Sequence, residues 1–234
     1  MALKSTVVKA ELQISDLDRH YYATHNLTVA QHPSETDERL MVRLLAFALF
    51  AEERLEFGRG LSQDDEPDIW LKELTGEIDL WLDLGQPEEA RIRKACGRAR
   101  RAVVVTYSGR SADIWWEKNS NSLARSNNLT VIDIAAETVS ELTALMARTM
   151  RLNVMIQDGE VQVLGGDVTV EVRPLVRQAA KVVITVLAHW YRTPPSTRHH
   201  RLLSNVNVPF AASLRTRLLT AAGFTVPFAM KMLL

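Results

Sequence analysis

Asp68 and Asp83 are the residues in this chain whose type and spacing most directly suggest chemistry. From 68 to 83 the apolar residues alternate, with Ile69 and Leu71 before Thr75-Gly76 and Ile78, Leu80 and Leu82 after it. That is the period of a strand on each side of a turn. A two-residue Thr75-Gly76 loop between Leu74 and Glu77 predicts the pairs Ile69 with Leu82, Trp70 with Trp81, Leu71 with Leu80 and Lys72 with Asp79. Asp68 then faces Asp83. A slip of one residue would turn the apolar set of one strand away from that of its partner, so this register, or one two residues away, is favoured. Opposed side chains have Cβ atoms about 4.5–5.5 Å apart, and two carboxylates about 5 Å apart repel by roughly 3 kcal/mol at an effective dielectric near 20. A divalent cation such as Mg²⁺, which takes one or two carboxylates together with water and phosphate oxygens, would offset that repulsion. The competing reading is two solvated strand ends, where the repulsion is screened.

The elements that position this pair read as mixed α/β. Residues 5–15 and 28–31 read as an opening hairpin. Ser34 as N-cap with Asp37 three residues later predicts a helix over 35–57, on which Glu38 shares a face with Met41 and Leu45 and points inward. Pro87-Glu88-Glu89 opens a second helix. On it Arg91, Lys94, Arg98 and Arg101 recur at three- and four-residue steps and predict one basic face, either a phosphate-binding stripe or a solvated surface. Strand over 102–107, helix over 111–125, strand over 129–134 and helix over 137–151 alternate as parallel pairing requires. A second hairpin joins 152–156 to 161–164 through Asp158-Gly159, and 168–172 adds a strand. Trp115 and Trp116 point in different directions on their helix and read as packing residues.

Several stretches resemble the YaeQ family, whose members are assigned to the PD-(D/E)XK nuclease superfamily. They are H-P-S-E-T-D-E-R at 32–39, V-R-L-L-A-F-A at 42–48, D-E-P-D at 65–68, L-G-Q-P at 84–87 and R-I-R-K-A-C-G-R-A at 91–99. The likeness spans residues 1–173. It implies a restriction-endonuclease-like mixed β-sheet flanked by helices, with β-hairpins at both ends of the core. It also implies Mg²⁺ on Asp68 and Asp83, with Glu38 as a further ligand, and hydrolysis of a phosphodiester in nucleic acid. One position departs from the pattern: Gly85 stands two after the second acid, where the superfamily carries a lysine that orients the attacking water. Gln86 and Lys94 are the candidates to replace it. The alternative is a non-catalytic module that binds nucleic acid or protein on a nuclease-derived fold.

Composition sets the frame. The 234 residues are 47% hydrophobic and 24% charged, with a single cysteine and zero net charge, which suits a globular chain without a disulfide framework. Cys96 has Ile92 and Ala99 at helical spacing and reads as a packed small hydrophobe. Neither a signal peptide nor a membrane-spanning run is evident, so a cytoplasmic location is expected. The charge is unevenly divided, because residues 174–234 carry 8 Lys and Arg and no acid. This basic extension lies outside the resemblance. It reads as a nucleic-acid or lipid-binding arm, a small helical unit, or non-native sequence produced by a frame change or a read-through stop.

Overall fold

The computed structural model describes residues 5–59 and 65–181. Most of the basic extension, from residue 182 onward, lies outside the described residues.

The N-terminal alternation forms β1 (Thr6–Asp16) and β2 (Tyr21–Gln31), paired antiparallel along their whole length. After α1 (Asp37–Leu49) come β3 (Leu55–Phe57), β4 (Ile69–Lys72), β5 (Ile78–Leu84) and α2 (Glu89–Arg98). The alternating half follows as β6 (Ala99–Thr106), α3 (Arg110–Leu123), β7 (Leu129–Asp133) and α4 (Ala136–Thr143). The described chain closes with β8 (Thr149–Gln157), β9 (Glu160–Gly165), β10 (Val168–Val172) and β11 (Leu175–Gln178).

These strands form two mixed sheets rather than the single sheet expected. One has the order β10-β9-β8-β1-β2 and the other β11-β7-β6-β5-β4-β3. The hairpins expected at the two ends of the core are joined by a parallel β1–β8 ladder, Lys9 opposite Thr149 through Asp16 opposite Ile156. In the second sheet β5, β6 and β7 run parallel, while β3, β4 and β11 are antiparallel to their neighbours.

Burial explains the layering. Every residue of α1 from Leu40 to Ala48 is buried, as expected of a helix covered on all sides. Its side chains share one core with Leu12, Ile14, Leu152 and Val154 of the first sheet and with Leu80, Leu82, Leu84 and Val105 of the second. Val139 and Leu142 of α4 belong to the same core. A second core lies on the opposite face of the second sheet, where Trp81, Val104 and Val131 meet Ile92 and Ala95 of α2 and Leu123 of α3. The order is therefore sheet, α1 with α4, sheet, α2 with α3. Among Leu12, Met41, Leu44 and Leu152 the packing leaves an apolar void of about 10 Å³, at or below the size that holds one water.

Two predicted helices are shorter than expected. α1 begins at Asp37, with Thr36 rather than Ser34 as N-cap, its hydroxyl accepting from the Arg39 N–H at 3.2 Å. It ends at Leu49, because Glu52 and Glu53 would oppose the negative C-terminal end of the helix. Leu55 and Phe57 then pair with Leu71 and Ile69 as an edge strand. α4 ends at Thr143, and buried Met150, Leu152, Val154 and Ile156 alternate with exposed neighbours as strand β8. β11 lies beyond residue 173, antiparallel to β7, so the described core continues past the end of the resemblance. Arg177 anchors it by donating to Asp113 at 2.5 Å and Asp133 at 2.7 Å.

Candidate functional site

The hairpin that carries both aspartates has the predicted register over its apolar pairs, with Ile69 opposite Leu82, Trp70 opposite Trp81 and Leu71 opposite Leu80. The turn is one residue longer than expected. Gly76, at φ +87°, donates its N–H to the Glu73 carbonyl at 2.9 Å, and Glu73 donates to Glu77 at 2.8 Å. That closes a three-residue loop whose left-handed position requires glycine. Lys72 therefore faces Ile78, and Asp79 is the extra residue of a bulge that restores the register at Leu71–Leu80. The expected Lys72–Asp79 pair is replaced by two others: Lys72 lies over the Trp70 ring, and Asp79 accepts from Arg101.

At the other end of the hairpin, Asp68 and Asp83 are gripped by arginines from opposite faces of the sheet. Asp68 accepts from Arg39 of α1 at 2.6 Å and from the Leu84 N–H at 2.8 Å. Arg39 also donates to the Leu84 carbonyl at 3.3 Å. Asp83 accepts from Arg91 of α2 through both of its oxygens, at 2.8 and 3.1 Å, and from Trp81 Nε1 at 2.9 Å. Arg91 donates further to the Glu66 carbonyl at 2.7 Å, which ties down the segment leading into β4. Burial pushes the Asp83 carboxyl upward, Arg91 and Trp81 draw it back, and Asp68 adds to the rise. Burial works against the Arg39 charge as well. Asp68 and Tyr107 outweigh it and hold that guanidinium above its ordinary value.

Glu38 does not point inward. It is exposed on the first turn of α1, and the acid that enters the interior is Glu35, two residues before the helix. Glu35 pairs with the buried Arg43 at 3.0 Å and accepts from the His32 N–H at 3.3 Å. Burial raises its carboxyl, and Asp68 is close enough to raise it further. Buried Glu35 Oε1, Arg39 Nε and Arg43 Nε have no hydrogen-bond partner. The sequence carries a signal for Glu35 in the residue that follows it. Thr36 fits the cap as well as Ser34 does, and choosing it moves the helix start past Glu35 and frees that side chain from the helix surface.

The expected basic face disperses. Arg91 is held by Asp83, Lys94 is bonded to Asp65, and Arg98 lies exposed in the last turn of α2. Arg101 is not on the helix at all. It stands in β6 and bonds Asp79 and Glu52. Of the residues expected to replace the lysine, Gln86 exchanges hydrogen bonds with Ser111 of α3 at 3.0 and 3.1 Å. Gly85 has φ +90°, and a Cβ built there would lie 3.7 Å from an Arg39 guanidinium nitrogen. The left-handed backbone disfavours a side chain there, while the Arg39 distance is ordinary van der Waals contact.

Arg39 and Arg91 supply the counter-charge that made a dication attractive. Among the described residues no group of three or more His, Cys, Asp or Glu side chains is placed to hold a metal ion. Each carboxylate is bonded to an arginine, and Glu38, the further ligand that the resemblance implies, is exposed. Cys96 is half-buried against the second core, and burial pushes its thiol up, as expected of a packing residue. Trp115 packs there too, its Nε1 donating to the Pro87 carbonyl at 3.1 Å.

A family model described as YaeQ protein matches residues 1–174. The chain belongs to the YaeQ family. It is 47% identical over 161 residues to the uncharacterized protein YaeQ of Escherichia coli (strain K12), an alignment covering 69% of this chain and 89% of that protein. Its counterpart in Salmonella typhi is 45% identical over the same length and shares. Among solved structures, the YaeQ protein from Xanthomonas axonopodis pv. citri is 61% identical with a TM-score of 0.74, covering 75% of this chain and 99% of that one. The YaeQ protein from Pseudomonas syringae is 35% identical with a TM-score of 0.72, covering 75% and 97%. The YaeQ match thus spans both sheets and the arginine-clamped hairpin, and ends one residue before β11. No helix of the described residues is long and apolar enough to cross a membrane.

Proposed function

We propose that the chain is a non-catalytic protein-binding module on a restriction-endonuclease-like α/β core, in which the nuclease acid pair has become a structural clamp. The observation that carries this reading is the pairing of Asp68 with Arg39 and of Asp83 with Arg91. Each carboxylate that would ligate Mg²⁺ instead joins the hairpin to a helix, one on each side of the sheet. The position of the superfamily lysine is a left-handed glycine, and Glu38 faces solvent. A protein partner is favoured over nucleic acid because Arg91, Lys94 and Arg101 are bonded to Asp83, Asp65 and Asp79. Phosphate binding by that set would first require breaking those pairs, with little gain in counterion release.

Titration calorimetry of the full chain with Mg²⁺ and Mn²⁺ is expected to give no binding heat, and single-stranded, duplex and structured nucleic acids are expected to remain intact with either metal. In-cell crosslinking followed by affinity capture is expected to return protein rather than nucleic acid. Metal binding that disappears in both Asp68→Ala and Asp83→Ala would reinstate the Mg²⁺-dependent nuclease and remove this proposal.

A further inference from the structure

The four edges of the two sheets are not alike. β3 has three residues including Glu56, β11 has four including Arg177, and β10 has five including Glu171. Short length and charge are the usual protection of an edge against pairing with another chain. β2 has neither. It runs for eleven residues, Tyr21 to Gln31, without one Lys, Arg, Asp, Glu or Pro. Among the described residues its single ladder partner is β1, so its outer row of N–H and C=O groups faces away from the sheet.

We infer that β2 pairs with β2 of a second copy of this chain, antiparallel about a two-fold axis near Asn26, joining two five-stranded sheets into one of ten strands. The charge pattern selects this occupant. In a two-fold interface each residue meets its own surroundings, so charged residues near the axis of a self-pairing strand would face like charges, and this strand has none. With the axis at Asn26, Thr24 faces Thr28, Tyr22 faces Ala30 and Asn26 faces its own copy. All five are exposed, and threonine pairs and aromatic-to-small pairs are favourable across strands. On the other face the same register sets half-buried His25 against Leu27, and half-buried Ala23 against the buried Val29, of the second copy. This surface is separate from the arginine-clamped hairpin and goes beyond the proposed function.

Analytical ultracentrifugation of the full chain over a wide concentration range is expected to show a monomer–dimer equilibrium. Asn26→Lys and Asn26→Glu place a like-charged pair at the axis, and each alone is expected to weaken the dimer about tenfold or more. An equimolar mixture of the two variants is expected to regain dimer, since Lys then meets Glu, and this recovery separates lost pairing from lost folding. A wild-type chain that stays monomeric at every concentration overturns the inference, including the case in which β2 amides are protected from hydrogen exchange by another segment of the same chain. Dimers of undiminished strength in both variants also overturn it, because the interface would then lie elsewhere.

Discussion

Asp83 carries its charge inside the protein, and its raised pKa fixes the sign of how its contribution to stability changes with pH. A carboxyl whose folded-state pKa lies above its unfolded value binds protons more readily when folded, so its charged form lowers stability at neutral pH. That cost is relieved as pH falls through the raised value. Asp83→Asn keeps one acceptor oxygen for Trp81 and Arg91 Nε without the burial cost of the charge, but sets an amide N–H against the second Arg91 N–H, and is expected to cost less at pH 7 than loss of the whole side chain. The wild type should gain on this variant as pH falls through the raised Asp83 value. Asp83→Ala removes the acceptor as well, leaves the buried Trp81 N–H unsatisfied, and is expected to cost about 2–3 kcal/mol. Urea unfolding of all three proteins at pH 7 and at mildly acidic pH checks both the order and its pH trend. Apolar alternation made the ladder from Ile69 to Leu71 legible, and with it the nearness of Asp68 to Asp83, but not that the two carboxylates are held from opposite faces of the sheet. What neutralises them was not legible. Arg39 and Arg91 come from helices on opposite faces of the sheet, and local spacing carries no information about which distant cation reaches a strand end.

At the scale of elements, the hairpin and helix starts show where local chemistry decides and where it is ambiguous. Thr75-Gly76 marked the turn correctly, yet the left-handed conformation of Gly76 belongs to a three-residue loop, and the bulge at Asp79 absorbs the extra residue. Two register errors cancel, which is why every apolar pair from Ile69 to Leu71 was predicted correctly and Lys72 alone was not. In α1 the choice between Ser34 and Thr36 as cap decides whether Glu35 or Glu38 is the inward acid. Thr36→Ala removes the acceptor for the Arg39 N–H and is expected to cost about 1 kcal/mol. Ser34→Ala, outside the cap, should cost a few tenths at most by the same unfolding measurement. The reverse ranking would restore the earlier helix start and with it the inward Glu38.

For the whole molecule, the alternating half from β5 to α4 was legible because parallel strands with crossover helices carry a strong periodic signature. The division into two sheets was not, since the β1–β8 ladder joins residues far apart in sequence and leaves no local trace. The shared core implies that the sheets do not unfold independently. Leu44 of α1 lies between them, buried and lining the small apolar void, and Leu44→Ala is expected to cost about 2–5 kcal/mol. The described tryptophans 70, 81, 115 and 116 sit on or against the second sheet, so in a Trp190→Phe background their fluorescence reports that sheet, whereas far-UV circular dichroism reports both. Coincident transitions by the two probes, shifted together in the variant, are expected for one cooperative unit; separated transitions would mean two.

The parallel ladder of β1 with β8 also sets a timetable for biosynthesis. Lys9 leaves the ribosome some 140 positions ahead of Thr149, its ladder neighbour, and at about 5–20 residues per second that interval is roughly 7–28 s. Throughout it the β8 side of β1 has no ladder partner, although α1, which shares its core, has already been translated. A chain interrupted before residue 149 keeps β1 to β7 but leaves the β8 side of β1 without its ladder partner.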